Sequence, residues 1–446
     1  MRKIRFLGVL TLVLALIAVG APRSSRTAVA GPERKVGLLI VDHGEPPEYN
    51  QFTYWSFREF FNHLIEMGLI PAWVKEIDNG TVVQDRDCYA CETQETPFFI
   101  DAWLQPQDGP AMFVPASDST PAHHVVPGGP GMGEPDIFEH VGLGAWHEWE
   151  LMGGRSPNYD QKLAKKRVLI KWLRAKYGRR VPVSVGYGID PRIGGAHQGL
   201  RRGVLELINR QRVDHVVVAY HGVGFSDIMQ THMIRHELHE IVESVDPSVT
   251  LSFSDPIGTS KKFVNAVVAK ASAEVSRVPD DEPVALHLSG HGLPTGACGD
   301  YNCGADSYHR WSKQLFERVE NAISKRVSHG SKLEVFHIYG DGATEEDDAE
   351  YLMDSPMEAL AKRKDEGFVR VIDIPYEFDS DSRDTLIILR QGYERPIPDW
   401  NQSYESRFKH SGLNVRITNS SFGPAAKARA FIDVVGSALE RALRGS

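Results

Sequence analysis

Three histidines in this chain follow short apolar runs and precede glycine: Asp42-His43-Gly44, Tyr220-His221-Gly222 and Ser289-Gly290-His291-Gly292-Leu293-Pro294. A neutral imidazole accepts a proton or ligates a divalent metal, and a neighbouring glycine lets the backbone approach a flat ligand closely. A carboxylate facing such an imidazole would complete a pair that takes protons from N–H groups and holds a borderline metal ion. Two cysteine pairs add ligand chemistry, Cys88 with Cys91 and Cys298 with Cys303. Outside the cytoplasm two disulfides are the expected state, and a four-cysteine zinc or iron–sulfur site is the alternative. Neither pair runs Cys-x-x-Cys-His, so covalent haem attachment is not indicated. His232 and His236 stand four residues apart on a helical stretch with His239 and Glu240. That spacing can chelate an ion, but a solvated helix face is the favoured reading.

The elements that must position these groups alternate. Apolar runs bounded by Gly, Pro or Asp predict strands over 36–42, 181–186, 214–220, 249–253, 283–289, 333–339, 368–374 and 414–418. Helical periods fall between them, over 51–67, 160–177, 195–210, 231–244, 259–276, 306–326, 356–366 and 424–443. The start at 356 is well marked, because Ser355-Pro356-Met357-Glu358 supplies an N-cap, a proline at the first position and an acid at the third. Strand–helix alternation repeated twice predicts an α/β protein with two Rossmann-like lobes of parallel strands. In such sheets ligands sit beyond the carboxyl ends of the strands, which is where all three His-Gly pairs fall. The alternation fails over 78–152, a stretch rich in Gly, Pro and aromatics that is read as a lid inserted in the first lobe. The acidic stretch 341–354 lacks the residue order of a calcium loop and is read as solvated.

Composition narrows the partners. The 446 residues carry 50 Lys+Arg against 59 Asp+Glu, a net charge of −9, so a nucleic-acid partner is not expected and a cation is easier to accommodate. Residues 1–30 open with Arg2, Lys3 and Arg5 and run apolar from Phe6 to Ala21, a pattern of an export signal or an uncleaved anchor. The expected division is therefore a signal over 1–30, a first lobe over 31–248 and a second over 249–446, the last helix packing back on the first lobe. The globular part is expected outside the cytoplasm.

Residues 289–294, Ser-Gly-His-Gly-Leu-Pro, resemble the histidine signature of the ferrochelatases, which insert Fe²⁺ into protoporphyrin. Collinear matches support it: residues 36–47 resemble the family's first strand and turn. Gly153-Gly154-Arg155-Ser156-Pro157 resembles its glycine-rich helix start, residues 185–191 fall at its second strand end, and Phe378 to Thr385 resembles its second catalytic stretch. The resemblance implies a tetrapyrrole cleft between the lobes, a porphyrin and a divalent metal as substrates, and no required cofactor. It makes His291 the proton acceptor and metal ligand, Asp384 the facing carboxylate, and His43 a group near the metal's approach. His43, Ser289, Leu293, Pro294, His221 and Tyr187 would line the substrate. Here the family's Ser-Asp-His-x-Glu reads Ser380-Asp381-Ser382-Arg383-Asp384, and the acids expected further on are Ile388 and Gly392. The related sirohydrochlorin chelatases for cobalt or nickel, with histidine-only sites, are the alternative. A periplasmic haem or metal carrier that lost turnover is the non-enzymatic one.

Overall fold

The computed structural model describes residues 34–42, 45, 100–103, 113–115, 149, 152–187, 199–224, 234–290, 297–298, 301–302, 305–339, 356–382, 385–386, 389–391, 393, 406–420 and 424–445. The expected export signal, the helix over 51–67, most of the lid, the start at Ser355 and the acidic stretch lie outside the described residues. So do Cys88, Cys91 and Cys303.

The first sheet is built from β1 (Val36–Asp42), β4 (Val183–Tyr187), β5 (His215–Tyr220) and β6 (Thr250–Phe253) in the order β4-β1-β5-β6, all parallel. Between β1 and β4 come two short antiparallel partners, β2 (Ile100–Trp103) and β3 (Phe113–Pro115), inside the stretch read as a lid. The second sheet combines β7 (Val284–Gly290), β10 (Leu333–Tyr339), β11 (Arg370–Ile374), β12 (Ser406–His410) and β13 (Leu413–Ile417) in the order β10-β7-β11-β13-β12. Its strands are parallel except β12, which pairs antiparallel with β13 at the edge. A two-residue pair, β8 (Ala297–Cys298) with β9 (Tyr301–Asn302), follows β7.

The two sheets share one plan. Taking the parallel strands alone, in each sheet the first lies between the second and the third, and the fourth lies beyond the third: β4-β1-β5-β6 against β10-β7-β11-β13. β1 and β7 therefore occupy the same position, the point where the strand order reverses. The first sheet reaches Phe253, past the division expected at residue 249, because 250–253 pairs with β5.

Helices complete the layers: α1 (Asn158–Tyr177), α2 (Leu200–Leu205, continued by a wider π turn Glu206–Arg210), α3 (Glu237–Val245), α4 (Lys261–Val275), α5 (Ala305–Arg326), α6 (Pro356–Asp365), the single turn α7 (Leu389–Gln391) and α8 (Pro424–Arg444). All seven residues of β1 are buried, as a parallel strand covered on both faces requires. Their period of two sorts them. Val36, Leu38 and Ile40 join a core shared with α1, α4, α5, α8 and the second sheet, while Leu39 and Val41 pack under α2 and α3. α8 packs on α1, on α4, and on β1 and β5, so the last helix reaches the first sheet. Among the described residues no helix is long and apolar enough to cross a membrane.

Phe431 of α8 is fully buried in the shared core. Phe431→Ala is expected to cost about 3–5 kcal/mol of stability, the range for a large aromatic lost from a packed core. Urea denaturation of the variant beside the parent chain reads it, and a cost below about 1 kcal/mol would deny Phe431 that place.

Candidate functional site

β1, β5 and β7 end at Asp42, Tyr220 and Gly290, so His43, His221 and His291 each stand one residue past a parallel strand. His43, His291, Leu293, Pro294 and Asp384 lie outside the described residues, and the side chain of Tyr187, the last residue of β4, is likewise undescribed. Close in sequence to His43, His291 and Asp384, the buried polar residues Asp42, Ser289, Asp381, Ser382 and Thr385 are described.

Asp42, beside His43, is fully buried. Its carboxylate meets Lys166 Nζ, His221 Nδ1 at 2.9 Å and Lys162 Nζ at 3.8 Å. On the far side of the imidazole, His221 Nε2 lies 3.4 Å from Asp379 Oδ2. Asp379 also meets Lys165 Nζ at 2.6 Å and Lys162 Nζ at 3.7 Å. Burial alone would push both carboxyls up, but the lysines and His221 more than offset it and hold Asp42 and Asp379 well below the usual carboxylate range. The paired carboxylates outweigh burial at Lys162 and raise it, whereas burial wins at Lys165 and lowers it.

His221 is the centre of this network: the residue is 1% exposed and stacks on Phe431 with ring centroids 4.5 Å apart. Burial drives its pKa down to about 4, with Lys165 adding to the shift and Asp42 opposing it. Withdrawal from water disfavours the charged imidazolium more than the facing carboxylates favour it, so the imidazole is neutral.

The flanks of His291 and Asp384 are held in the same way. Ser289 is fully buried and donates to Asp373 Oδ1 at 2.6 Å, which supports the strand end from beneath. Tyr393 Oη donates to the other Asp373 oxygen at 2.5 Å and lies 3.1 Å from His287 Nδ1. Burial pushes Asp373 up to about 6 against these hydrogen bonds. Around Asp384, Arg390 donates to the Thr385 carbonyl and the Ser382 amide donates to Thr385 Oγ1 at 2.9 Å. Asp381 accepts from the Ser420 amide at 2.7 Å and from Gln161 Nε2 of α1 at 2.9 Å. The glycine-rich start of α1 meets the turn after His43, since Ser156 Oγ donates to Glu45 Oε1. Gly153 and Gly154 hold φ of +74° and +79° there, a conformation that suits glycine.

Sequence reasoning missed Asp42, Asp379, Lys162, Lys165 and Lys166. The signal was available in α1, whose buried face runs Lys162, Lys165, Lys166, Leu169, Leu173, so lysines continue the apolar stripe at helical spacing. His236 and Glu240 form an exposed pair at 3.4 Å, and among the described residues no three ligand-type side chains gather as a metal would need. Cys298 lies in β8.

No family model matches the chain, and no curated protein does. Among solved structures it is similar to SirB from Bacillus subtilis with Fe³⁺, at 16% identity and a TM-score of 0.40 over 62% of this chain and 90% of that one. The sirohydrochlorin chelatase SirB from Bacillus subtilis subspecies spizizenii with cobalt gives 12% identity and a TM-score of 0.32 over 62% and 88%. A multi-domain Deinococcus radiodurans protein, described as similar to chelatases with two additional domains, gives 12% and 0.35 over 62% of this chain and 50% of that one. These neighbours are chelatases or chelatase-like, and none of the three is a ferrochelatase.

Neutral burial of His221 has a pH signature. In the unfolded chain it protonates near pH 6.5, but in the fold only near pH 4, so the unfolded state binds more protons between these values. Its contribution to stability is therefore complete above about pH 6.5 and falls as pH drops towards 4, by on the order of 2 kcal/mol at pH 5. His221→Asn should flatten the pH 5–7 stability slope by up to about one proton. An unchanged slope would mean that the imidazole takes up its proton in the fold as it does in the unfolded chain.

Proposed function

We propose that this chain is a metal chelatase that inserts a divalent ion into a tetrapyrrole, with a sirohydrochlorin-type substrate favoured over protoporphyrin. The observation that carries the reading is the shared plan of the two sheets. Their equivalent first strands, β1 and β7, both end at the order-reversal point directly before His-Gly. Two imidazoles delivered by one topological rule to the ligand-binding edge of each sheet suit a ligand that must lose two N–H protons as it gains a metal.

In this reading His291 accepts a pyrrole proton and ligates the incoming ion in turn, and His43 receives the ion at the equivalent strand end. Asp384 takes the second proton. Its segment is clamped by Asp379 and Asp381 to α1 of the other half. The bound imidazoles must be neutral to act. The preference for the histidine-type substrate rests on the acids that the ferrochelatase resemblance calls for and that this chain replaces by Ile388 and Gly392. The intact Ser-Gly-His-Gly-Leu-Pro stretch favours protoporphyrin and Fe²⁺ as the second reading.

Anaerobic insertion by the full chain, followed by absorbance with sirohydrochlorin and with protoporphyrin against Fe²⁺, Co²⁺ and Ni²⁺, tests both. Multiple turnovers on sirohydrochlorin are expected, and His291→Ala should lower kcat by about 100-fold or more, the scale of a lost proton acceptor. Turnover on protoporphyrin alone would select the second reading. Stoichiometric binding without turnover on every pair would leave a carrier.

A further inference from the structure

Directly before His291 the chain makes an unusually close contact. Gly290 is fully buried, and a Cβ built on it would meet the Glu377 carboxyl at 2.7 Å, a separation that real Cβ atoms do not show. Glu377 comes three residues after β11, and its side chain is 2% exposed. Tyr308 Oη donates to its Oε2 at 2.5 Å, while Ser312 Oγ and Tyr376 Oη, the latter at 2.8 Å, donate to Oε1. His337 Nε2 lies 3.6 Å from Oε1. Burial alone would push Glu377 up, yet His337 and these hydroxyls more than offset it and hold the carboxyl below its ordinary value. Three hydroxyl donors converging on a buried carboxylate fix it more firmly than any one would, because charge-assisted hydrogen bonds are short and directional. The donors come from α5 and from the residue beside Glu377, so the group is anchored from two elements.

None of these bonds is needed to close either sheet, and a hydrophobic side chain would fill the same space at lower desolvation cost. What the carboxylate does is abut the backbone at the last residue of β7. With Ser289 hydrogen-bonded to Asp373 one residue earlier, two carboxylates four residues apart on one segment grip the two residues that precede His291. A pair of fixed contacts on consecutive residues sets the direction in which the chain leaves the strand.

We propose that Glu377 is a positioning residue that sets the path of the His291 turn through contact with Gly290, an inference that rests on the chelatase reading for its catalytic consequence. The contact is a matched pair of sizes, a missing Cβ at 290 against a full-length carboxylate at 377. It therefore predicts reciprocal rescue. Gly290→Ala should push the turn away and lower kcat about 10- to 100-fold, the penalty of roughly 1 Å of misplacement, with KM for the tetrapyrrole little changed. Glu377→Asp withdraws the carboxylate by one methylene, about 1.5 Å, and keeps its charge. In the double variant Gly290→Ala/Glu377→Asp the new Cβ has room, and kcat should return to within about threefold of the parent, a non-additive cycle.

The imidazole cross-peak of His291 in a long-range ¹H–¹⁵N spectrum, assigned by its loss in His291→Ala, gives a readout that does not depend on turnover. It should move in Gly290→Ala and return in the double variant, with melting temperatures recorded for each. A Gly290→Ala chain with the parent's kcat and imidazole shift would overturn the proposal, as would a folded double variant no closer to the parent than the single one. Should Gly290→Ala not fold, Glu377→Asp alone decides. A moved His291 cross-peak at an unchanged melting temperature supports positioning, and an unmoved one overturns it. If the parent turns over no tetrapyrrole, the chelatase reading has failed, and the spectra alone judge the contact.

Discussion

The structure depends on a cluster of charge that physical chemistry disfavours. Asp42 and Asp379 are withdrawn from water together with Lys162, Lys165 and Lys166, and a neutral imidazole is set between the carboxylates. Removing such ions from water costs several kcal/mol each, and pairing them recovers that cost only when geometry is good and no charge is left over. A stripe of leucines on α1 would have joined the two halves with less penalty. Ion pairs supply direction instead. Asp42 precedes His43, Asp379 lies five residues before Asp384, and His221 spans the two. The cluster therefore sets the separation between a strand end of one half and the segment that leads to Asp384 in the other.

How far this was legible in the sequence follows from which forces leave a local pattern. Strands buried on both faces announce themselves as unbroken apolar runs, and β1 and β10 match the expected bounds to the residue. Helix periods placed α1, α4, α5 and α8 within a few residues. The edge strand β12 was missed because Ser406–His410, with Arg407, Lys409 and His410, is too polar to read as a strand, and its identity comes from pairing with β13. The buried lysines of α1 were passed over for a similar reason. A lysine on a helix is ordinarily solvated, and only the carboxylates facing it, more than 200 residues away in the case of Asp379, make its burial tolerable. His221 shares with His43 and His291 its place between an apolar run and a glycine. The rule that strands end in His-Gly does not distinguish an imidazole that faces the ligand from one that faces the core.

The two halves correspond strand for strand. The first strand of each is followed directly in sequence by its histidine. The third strand of each, β5 or β11, runs beside the first and delivers a buried polar group beneath its end: His221 under Asp42, and Glu377 under Gly290. The two supports are opposite in chemistry. One is a neutral ring packed among lysines and carboxylates, and the other is an anion wrapped in hydroxyls. The roles nonetheless coincide, because a turn that leaves a parallel strand needs a fixed neighbour, and the adjacent strand is the element close enough to provide it. One half meets that need through long-range ion pairs and the other through a close steric fit. The first arrangement is thus coupled to pH and to the opposite half, while the second is confined to its own half and depends on glycine at a single position.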